Sequence, residues 1–353
     1  MELCFNDRAG FTRWIVKRGL LQEPFVVVDV GVQGGASPRW DLLGDHLEFH
    51  GFDAIAEVIG ELQQRNQGRP KRHFYNIALG DADGRRQFYV NLTDRFSSSM
   101  FGNGAAASGA PSSEQVRTVA VRRLDGLFRE GLVSGCDFLK VDVEGFEKHV
   151  LLGARELLAA GVLGVEAETS LAISAEYPKG HLNAMIELVQ EHRLLPIDLA
   201  FNRIPRASFL RAVKRKGVAL HDEYGPLGPP RTFNVLFCRN PIAEADAEAP
   251  RPARLSVDQV IKVMMICELH GLNDVAVDIA ERFAEELGRR LDVEQAIALL
   301  ADPKCRLGSQ SETESVLLHR RIRALEESTS WRVTAPLRGL KHVLRWAAGL
   351  ARR

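Results

Sequence analysis

The sequence predicts an open α/β fold, a mostly parallel Rossmann-like sheet with helices on both faces, followed by an all-helical extension. Three observations carry that expectation. From Phe25 to Asn240 short apolar runs alternate with amphipathic stretches, the pattern of a parallel sheet flanked by helices. A glycine turn, Gly31-Val-Gln-Gly34-Gly35, follows directly on a run of valines, as where such a sheet delivers a strand end to a ligand crevice. Beyond residue 254 only helical spacing remains, with apolar residues three and four apart.

Taken in order, residues 1–24 are expected to form a helical lead-in. Strands are expected at "FVVVDVG", "EFHGFDA", "HFYNIAL", "RQFYVN", "RTVAVRRL", "DFLKVDV", "GVLGVEAET", "LLPIDLA" and "TFNVLFCR". Helices are expected at 54–66, 145–160 and 180–193. In the second of these, Phe146, Val150, Leu151, Ala154, Leu157 and Leu158 share one apolar face. The segment 96–115 is rich in small residues and has no period, so it reads as a long functional loop. These elements make a domain over 25–240, and the alanine-, acid- and proline-rich stretch 241–254 reads as a linker. A helical extension is expected over 255–327, with Val260, Val263, Met264, Cys267 and Leu269 on one side and a further helix near 310–327. Residues 328–353 complete the chain as a basic amphipathic tail.

The composition narrows the function classes. Of 353 residues 45% are apolar and 26% charged, as in an ordinary globular protein. Lys plus Arg equals Asp plus Glu at 46 each, so no nucleic-acid partner is expected. The five cysteines form no CxxC pair, which argues against a disulfide framework and a zinc site. The N-terminal "MELCFNDRAGFTRW" lacks the long apolar core of a signal peptide, and no apolar run approaches the roughly 20 residues of a membrane span. The expectation is a cytoplasmic protein.

The glycine turn is the first candidate site. Asp29 ends the valine strand just before Gly31, and Asp53 ends the next strand 22 residues after Gly31. A carboxylate there can accept hydrogen bonds from both hydroxyls of a ribose. A dinucleotide fingerprint needs glycine at position 33, where this chain has Gln33. Asp29 suits a ligand carrying an ammonium, as S-adenosylmethionine does, better than a pyrophosphate. Asp29, Gly31, Gln33, Gly34, Gly35 and Asp53 are therefore candidate cofactor contacts.

Later motifs extend this reading. The chain has Asp29-Val-Gly31, Asp53, Ala78-Leu-Gly-Asp81-Ala-Asp83-Gly84, Ser97-Ser98-Ser99, Lys140-Val-Asp142-Val-Glu144-Gly145-Phe-Glu147 and Leu152-Gly153-Ala154. In this order, over about 25–240, it resembles the FkbM family of S-adenosylmethionine-dependent methyltransferases. Two positions depart from the family pattern: Val32-Gln33 stands where alanine–asparagine is usual, and Phe52-Asp53-Ala54 where F-E-P is usual. The resemblance implies a class I methyltransferase sheet, S-adenosylmethionine as donor and O-methylation of a sugar or polyketide-like hydroxyl. Asn76 and Ala78 are further candidates for donor contact.

The chemistry is an in-line displacement at a sulfonium methyl, in which the protein mainly aligns an oxygen with the methyl carbon. A general base would take the proton of the hydroxyl. Asp142 is the first candidate, Glu144 the second and Glu168 the third. Asp142 and Glu168 together also offer oxygens for a divalent cation such as Mg²⁺. Each has a structural alternative: bracing the ligand loop, capping the next helix, or forming an ion pair. Lys140 reads as the buried partner of an acid, and His149 as a structural histidine. His181 and His221 lie in acceptor-side segments and are weaker base candidates. Ser97, Ser98 and Ser99 are candidate acceptor contacts or plain loop residues.

The extension resembles a small helical unit that sometimes follows such a domain, serving to form a homo-oligomer or to cover the sheet edge. The ending "STSWRVTAPLR" resembles those of bacterial glycosyltransferases and related enzymes of surface-polysaccharide assembly. From Trp331 onward the tail has six Lys/Arg and no acid, with Leu337, Leu340, Leu344 and Ala347 on one helical face. That suits anionic lipid headgroups at the inner membrane or a partner glycosyltransferase. The expected acceptor is a glycan or glycolipid of bacterial surface polysaccharide or lipopolysaccharide. Competing readings are a nucleotide-dependent oxidoreductase or epimerase, and an inactive methyltransferase-like scaffold in a polysaccharide assembly complex.

Overall fold

A computed structural model describes residues 9–92, 98–101, 114–171, 181–203, 230–246 and 254–302, all in one compact unit. The strands are β1 (Phe25–Val30), β2 (Leu47–Phe52), β3 (Arg72–Tyr75), β4 (Ala78–Leu79), β5 (Gly84–Asn91), β6 (Glu114–Arg122), β7 (Phe138–Val141), β8 (Gly164–Ser170), β9 (Leu194–Arg203) and β10 (Pro230–Arg239). The helices are α1 (Gly10–Lys17), α2 (Ala56–Arg65), α3 (Leu124–Arg129), α4 (Glu147–Leu152), α5 (Arg155–Gly161), α6 (His181–Gln190), α7 (Pro241–Asp246), α8 (Val257–Leu269), α9 (Asn273–Arg282), α10 (Ala284–Gly288) and α11 (Val293–Ala301). A 3-10 segment spans Pro38–His46. Ser97, His221, the expected helix near 310–327 and the tail 328–353 lie outside the described residues.

Seven strands form one sheet in the order β3-β2-β1-β7-β8-β10-β9. All run parallel except β10, which is antiparallel to both neighbours. This is the Rossmann-like, mostly parallel sheet with helices on both faces expected from the sequence. The valine run of β1 is buried along its whole length because helices cover both sheet faces. Phe25 and Val27 enter one core with α1, the 3-10 segment, α2, α8 and α9. Val28 and Val30 enter the other, with α3 to α6. The period of two along each strand assigns every charged residue to one of these faces.

Three expectations are corrected. "HFYNIAL" is not one strand: β3 joins the main sheet, whereas β4 joins β6 and β5 in a separate three-stranded sheet, order β4-β6-β5. "RQFYVN" and "RTVAVRRL" are the antiparallel pair β5 and β6 of that small sheet, not members of the parallel one. The helix expected over 145–160 is two, α4 and α5, broken at Gly153. A Cβ at Gly153 would lie 2.0 Å from the Gly80 carbonyl oxygen, and the Gly153 carbonyl accepts from the Asp125 amide at 2.8 Å. Glycine lets the backbone beyond β4 approach there, so the apolar face expected over 146–158 is buried across the break.

The helices after residue 254 share a core with the sheet. α8 is buried on nearly every side, and its charged residues are paired. The Lys262 ammonium donates to Asp137 Oδ2 at 2.9 Å and to the Pro24 carbonyl at 2.7 Å. Glu268 accepts from the Phe11 and Thr12 amides at 2.9 and 2.7 Å. These are open N–H groups at the start of α1, where the cap residue supplies no side-chain bond, and a carboxylate also suits the positive end of that helix.

Candidate active site

The chain passes from β1 outward to β2 and β3, then returns to β7 on the other side of β1. In open α/β sheets ligands bind beyond the carboxyl ends of the strands at such a switch point. Asp29, Asp53, Asp142 and Glu168 all come from that edge, at or near the ends of β1, β2, β7 and β8.

Gly31 makes the turn possible. Its φ is +89°, and a Cβ there would lie 1.8 Å from the Asp142 carbonyl oxygen. No side chain fits between these strand ends. The Gly31 and Val32 amides donate to the Phe52 carbonyl at 2.9 and 3.2 Å, and the Asp142 amide donates to the Val30 carbonyl at 2.9 Å. Three strand ends are thereby sewn around one turn. Gly35 also has positive φ, +83°, whereas nothing lies within 4 Å of a Cβ built on Gly34. Val32 is buried in the core. Gln33, beside it, is half-buried.

Asp29 is 2% exposed, and among the described residues its Oδ1 finds no hydrogen-bond partner, lying 3.6 Å from the Lys140 ammonium. Burial pushes its carboxyl up to about 6; Lys140 restrains the rise, and Asp142 and Glu166 add to it. Asp53, 5% exposed, is also pushed up to about 6 by burial, against the Ile55 amide and with help from Asp29. Its Oδ1 accepts from the Ile55 amide at 2.7 Å. Asn76 lies beside it and donates to the Asp53 carbonyl at 3.1 Å. Ala78 is buried in β4, opposite Val121.

Across the switch point stand Asp142, Glu144 and Glu168, with carboxylate oxygens all within 4.8 Å of one another. The pair expected from the sequence is thus joined by Glu144, and the three form an all-oxygen donor set of the kind that suits Mg²⁺. Burial and Asp142 raise the Glu168 carboxyl, opposed by Thr232 and Lys140. Glu144 has φ +55°, an uncommon conformation for a side chain of its size. Glu147 holds this turn: its Oε1 accepts from the Val143 and Gly145 amides, both at 3.0 Å. Burial pushes the Glu147 carboxyl up to about 8 despite those bonds, and His181 Nε2 lies 3.6 Å from its Oε2.

The remaining candidates are tied to the protein. Ser98 Oγ accepts from the Asn91 amide at 3.0 Å. Ser99 pairs with Tyr89 through both backbone bonds, and its hydroxyl bonds the Phe101 backbone. His149 meets Asp81 Oδ2 at 3.1 Å and stacks on Phe146 with centroids 4.2 Å apart. Lys140 lies between Asp29 and Asp142, 3.3 Å from Asp142 Oδ2. Burial alone would lower its pKa, but Asp29, Asp142 and Glu166 hold it above the usual value.

Sequence reasoning missed Glu166 and Arg39. Glu166 is buried, with Arg39 Nη1 at 3.7 Å and His270 Nε2 at 3.3 Å. Its signal was a carboxylate two residues before Glu168 in an otherwise apolar strand, which puts both acids on one face.

Among curated proteins none matches this chain. Solved structures give low-identity similarities. One is an FkbM methyltransferase from Methylobacillus flagellatus KT, 14% identical with TM-score 0.35, covering 65% of this chain and 48% of that one. The chain thus spans about half the length of that protein. Another is Aeropyrum pernix fibrillarin with natively bound S-adenosyl-L-methionine, 12% identical with TM-score 0.33, covering 62% and 67%. A third is Burkholderia thailandensis 1,6-didemethyltoxoflavin-N1-methyltransferase with bound 1,6-didemethyltoxoflavin and S-adenosylhomocysteine, 12% identical with TM-score 0.30, covering 66% and 80%. Among the described residues no helix is long and apolar enough to cross a membrane. Residues 39–191, which include Asp53 and the turn carrying Asp142 and Glu144, match the family model of the Methyltransferase FkbM domain.

Proposed function

We propose that the protein is an S-adenosylmethionine-dependent O-methyltransferase whose acceptor is a sugar hydroxyl on a glycan or glycolipid of bacterial surface polysaccharide or lipopolysaccharide. The observation that carries the donor assignment is the pair of buried carboxylates, Asp29 and Asp53, on either side of a turn that only glycine can make. A buried carboxylate oxygen without a hydrogen bond, as at Asp29, calls for a partner. The donor's ammonium suits Asp29, where it would share the carboxylate with Lys140. Ribose hydroxyls suit Asp53, whose own side-chain bond uses Oδ1. Gly31, Gln33, Gly34 and Gly35 would line the path between them.

S-adenosylmethionine supplies a methyl group already activated on a sulfonium. The chain's task is to exclude water, orient the acceptor oxygen and take its proton. Asp142 is the proposed base: it stands at the switch point beside the donor-side turn, and Lys140 fixes its carboxylate. Glu144 and Glu168 would position the acceptor or, with Asp142, hold a divalent cation. Ser97, Ser98 and Ser99 would border the acceptor. The basic tail is proposed to bring the enzyme to anionic lipid at the inner membrane or to a glycosyltransferase, and the helical segment to support a homo-oligomer.

The test is calorimetric titration with S-adenosylmethionine, followed by methyl transfer from labelled donor to surface glycans of defined structure. Saturable binding and a labelled O-methyl sugar are expected. Absence of donor binding would remove the whole assignment, and binding with transfer only to non-glycan acceptors would remove the glycan.

A further inference from the structure

The segment 98–101 turns its serines inward and one aromatic ring outward. Ser98 and Ser99 are 4% and 3% exposed, whereas Phe101 is 41% exposed. Ser99 pairs antiparallel with Tyr89 of β5, an outer strand of the small sheet, and Met100 packs against the core. The Ser99 hydroxyl bonds the Phe101 backbone at both its amide and its carbonyl. The small sheet thereby carries the Phe101 ring to the turn between β7 and α4. A Cβ built on Gly145 would lie 3.7 Å from the ring's Cδ2 and 4.0 Å from its Cε2, so the ring rests against the residue that follows Glu144. It also meets the buried Phe146 edge-on, with centroids 5.5 Å apart, and His149 at 6.3 Å.

We infer that Phe101 is an acceptor-binding residue, a platform on which one sugar ring of the acceptor lies beside the carboxylates of the turn. The inference rests on reading the acceptor as a glycan. Three observations support it. First, the ring borders the turn that presents Asp142 and Glu144, whose carboxylate oxygens lie within 4.8 Å of each other and of Glu168. Second, the ring is held in place, its backbone by the Ser99 hydroxyl and its surface by Gly145 and Phe146. A rigid aromatic side chain loses little conformational freedom when a ligand stacks on it. Third, the Ser98 and Ser99 hydroxyls are spent on the protein's own backbone, so the group this segment offers to an acceptor is Phe101. A single exposed apolar residue is ordinary in itself, but an exposed ring fixed beside three carboxylates pairs two chemistries in one place.

A sugar ring has the same two chemistries, hydroxyls around its rim and a patch of C–H groups on its face. Ionised carboxylates only accept, so Asp142, Glu144 and Glu168 can take hydrogen bonds from the hydroxyls but offer nothing to the C–H patch. The electron-rich face of an aromatic ring attracts C–H groups, which carry a slight positive charge. Covering that patch also removes apolar surface from water. A sugar ring stacked on Phe101 would have its tilt fixed relative to Asp142, the proposed base. Ser98 and Ser99 then serve the acceptor by holding the platform.

The test separates acceptor binding from donor binding. Methyl glycosides of mannose, glucose, galactose and rhamnose, and surface glycans of defined structure, are titrated into the full chain by saturation-transfer NMR. Donor affinity is measured by calorimetry with S-adenosylmethionine. The wild type should bind at least one of these sugars, with saturation strongest on the C–H groups of one face. Phe101→Ala should weaken that binding about tenfold, the scale of one stacked ring contact, and leave donor Kd unchanged. Phe101→Trp keeps an aromatic face and should stay within about threefold of wild type. Phe101→Leu keeps apolar bulk without the ring and should fall with Phe101→Ala. Sugar binding by Phe101→Ala equal to wild type overturns the inference and leaves the glycan reading standing. A Phe101→Leu variant as good as wild type also overturns it, because plain apolar packing, as against a lipid chain, would give that result. Donor affinity that falls together with sugar binding assigns the ring to the fold and overturns it as well. A wild type that binds none of these sugars removes the glycan reading, and the inference with it.

Discussion

The two sides of the switch point carry carboxylates in different surroundings. At the ends of β1 and β2, Asp29 and Asp53 are 2% and 5% exposed, and burial pushes both carboxyls up to about 6. At the ends of β7 and β8, the Asp142 side chain is 37% exposed, Glu144 is exposed and Glu168 is half-buried. The difference separates a recessed, preorganised side from an open one. Recessed carboxylates gain most from one complementary ligand held in a fixed place, since a buried charge without a partner is costly. Open carboxylates keep their solvation and their freedom to rotate, which suits groups that meet an acceptor or a cation arriving from solvent.

The comparison is most severely tested where the two sides touch. Gly31→Ala would force a Cβ against the Asp142 carbonyl in a left-handed backbone, and is expected to cost about 4 kcal/mol or more of stability. Chemical denaturation should show it, and a variant as stable as wild type would mean the strand ends do not meet as described. Asp142→Asn should lower kcat by roughly 10²- to 10⁴-fold, the range of a lost general base, while donor Kd stays within a few-fold. A variant that loses donor binding instead would move Asp142 to the recessed side.

Asp53→Ala should weaken S-adenosylmethionine binding about 100-fold, near the upper value of a hydrogen bond to a charged group, whereas Glu144→Ala should change it less than threefold. Equal losses would erase the distinction between the two sides. The pH dependence follows from the raised carboxyls. Asp29 and Asp53 must be ionised to hold an ammonium and ribose hydroxyls, and both take up protons as pH falls through about 6. Donor affinity should therefore be full near pH 8 and fall by roughly tenfold between pH 7 and 5 for each carboxylate required. A flat profile over that range would show that neither carboxylate meets the donor. The smallest effect concerns the tail. Removing residues 331–353 should abolish flotation with anionic liposomes, each basic residue near such a surface contributing about 1 kcal/mol. Donor affinity should be unchanged, and identical flotation with and without the tail would leave a protein partner as its role.

Much of the recessed side was legible in the sequence. A valine run ending in Asp29 and Gly31, then Asp53 after the next strand, names a strand end, a turn and a second acid at the same sheet edge, because parallel strands deliver their carboxyl ends together. The Lys140–Glu147 motif likewise placed Asp142 and Glu144. The small sheet was not legible. β3 and β4 are separated by only Asn76 and Ile77, and strand alternation does not reveal which sheet a strand joins. The break at Gly153 was hidden too, because helical spacing continues across it and its cause is the Gly80 backbone, far away in the chain.

The sequence by itself determined the strands that make the edge, the glycine at its turn and the acids beside it, since these depend on local period and on what a backbone can adopt. Only the tertiary structure decided which acids are recessed and which are open, and that Glu166, Arg39 and His270 stand behind them. Those properties arise from burial and from charges brought together across distant segments, His270 lying 104 residues beyond Glu166. A carboxylate's pKa and partners are set by that environment rather than by its neighbours in the chain.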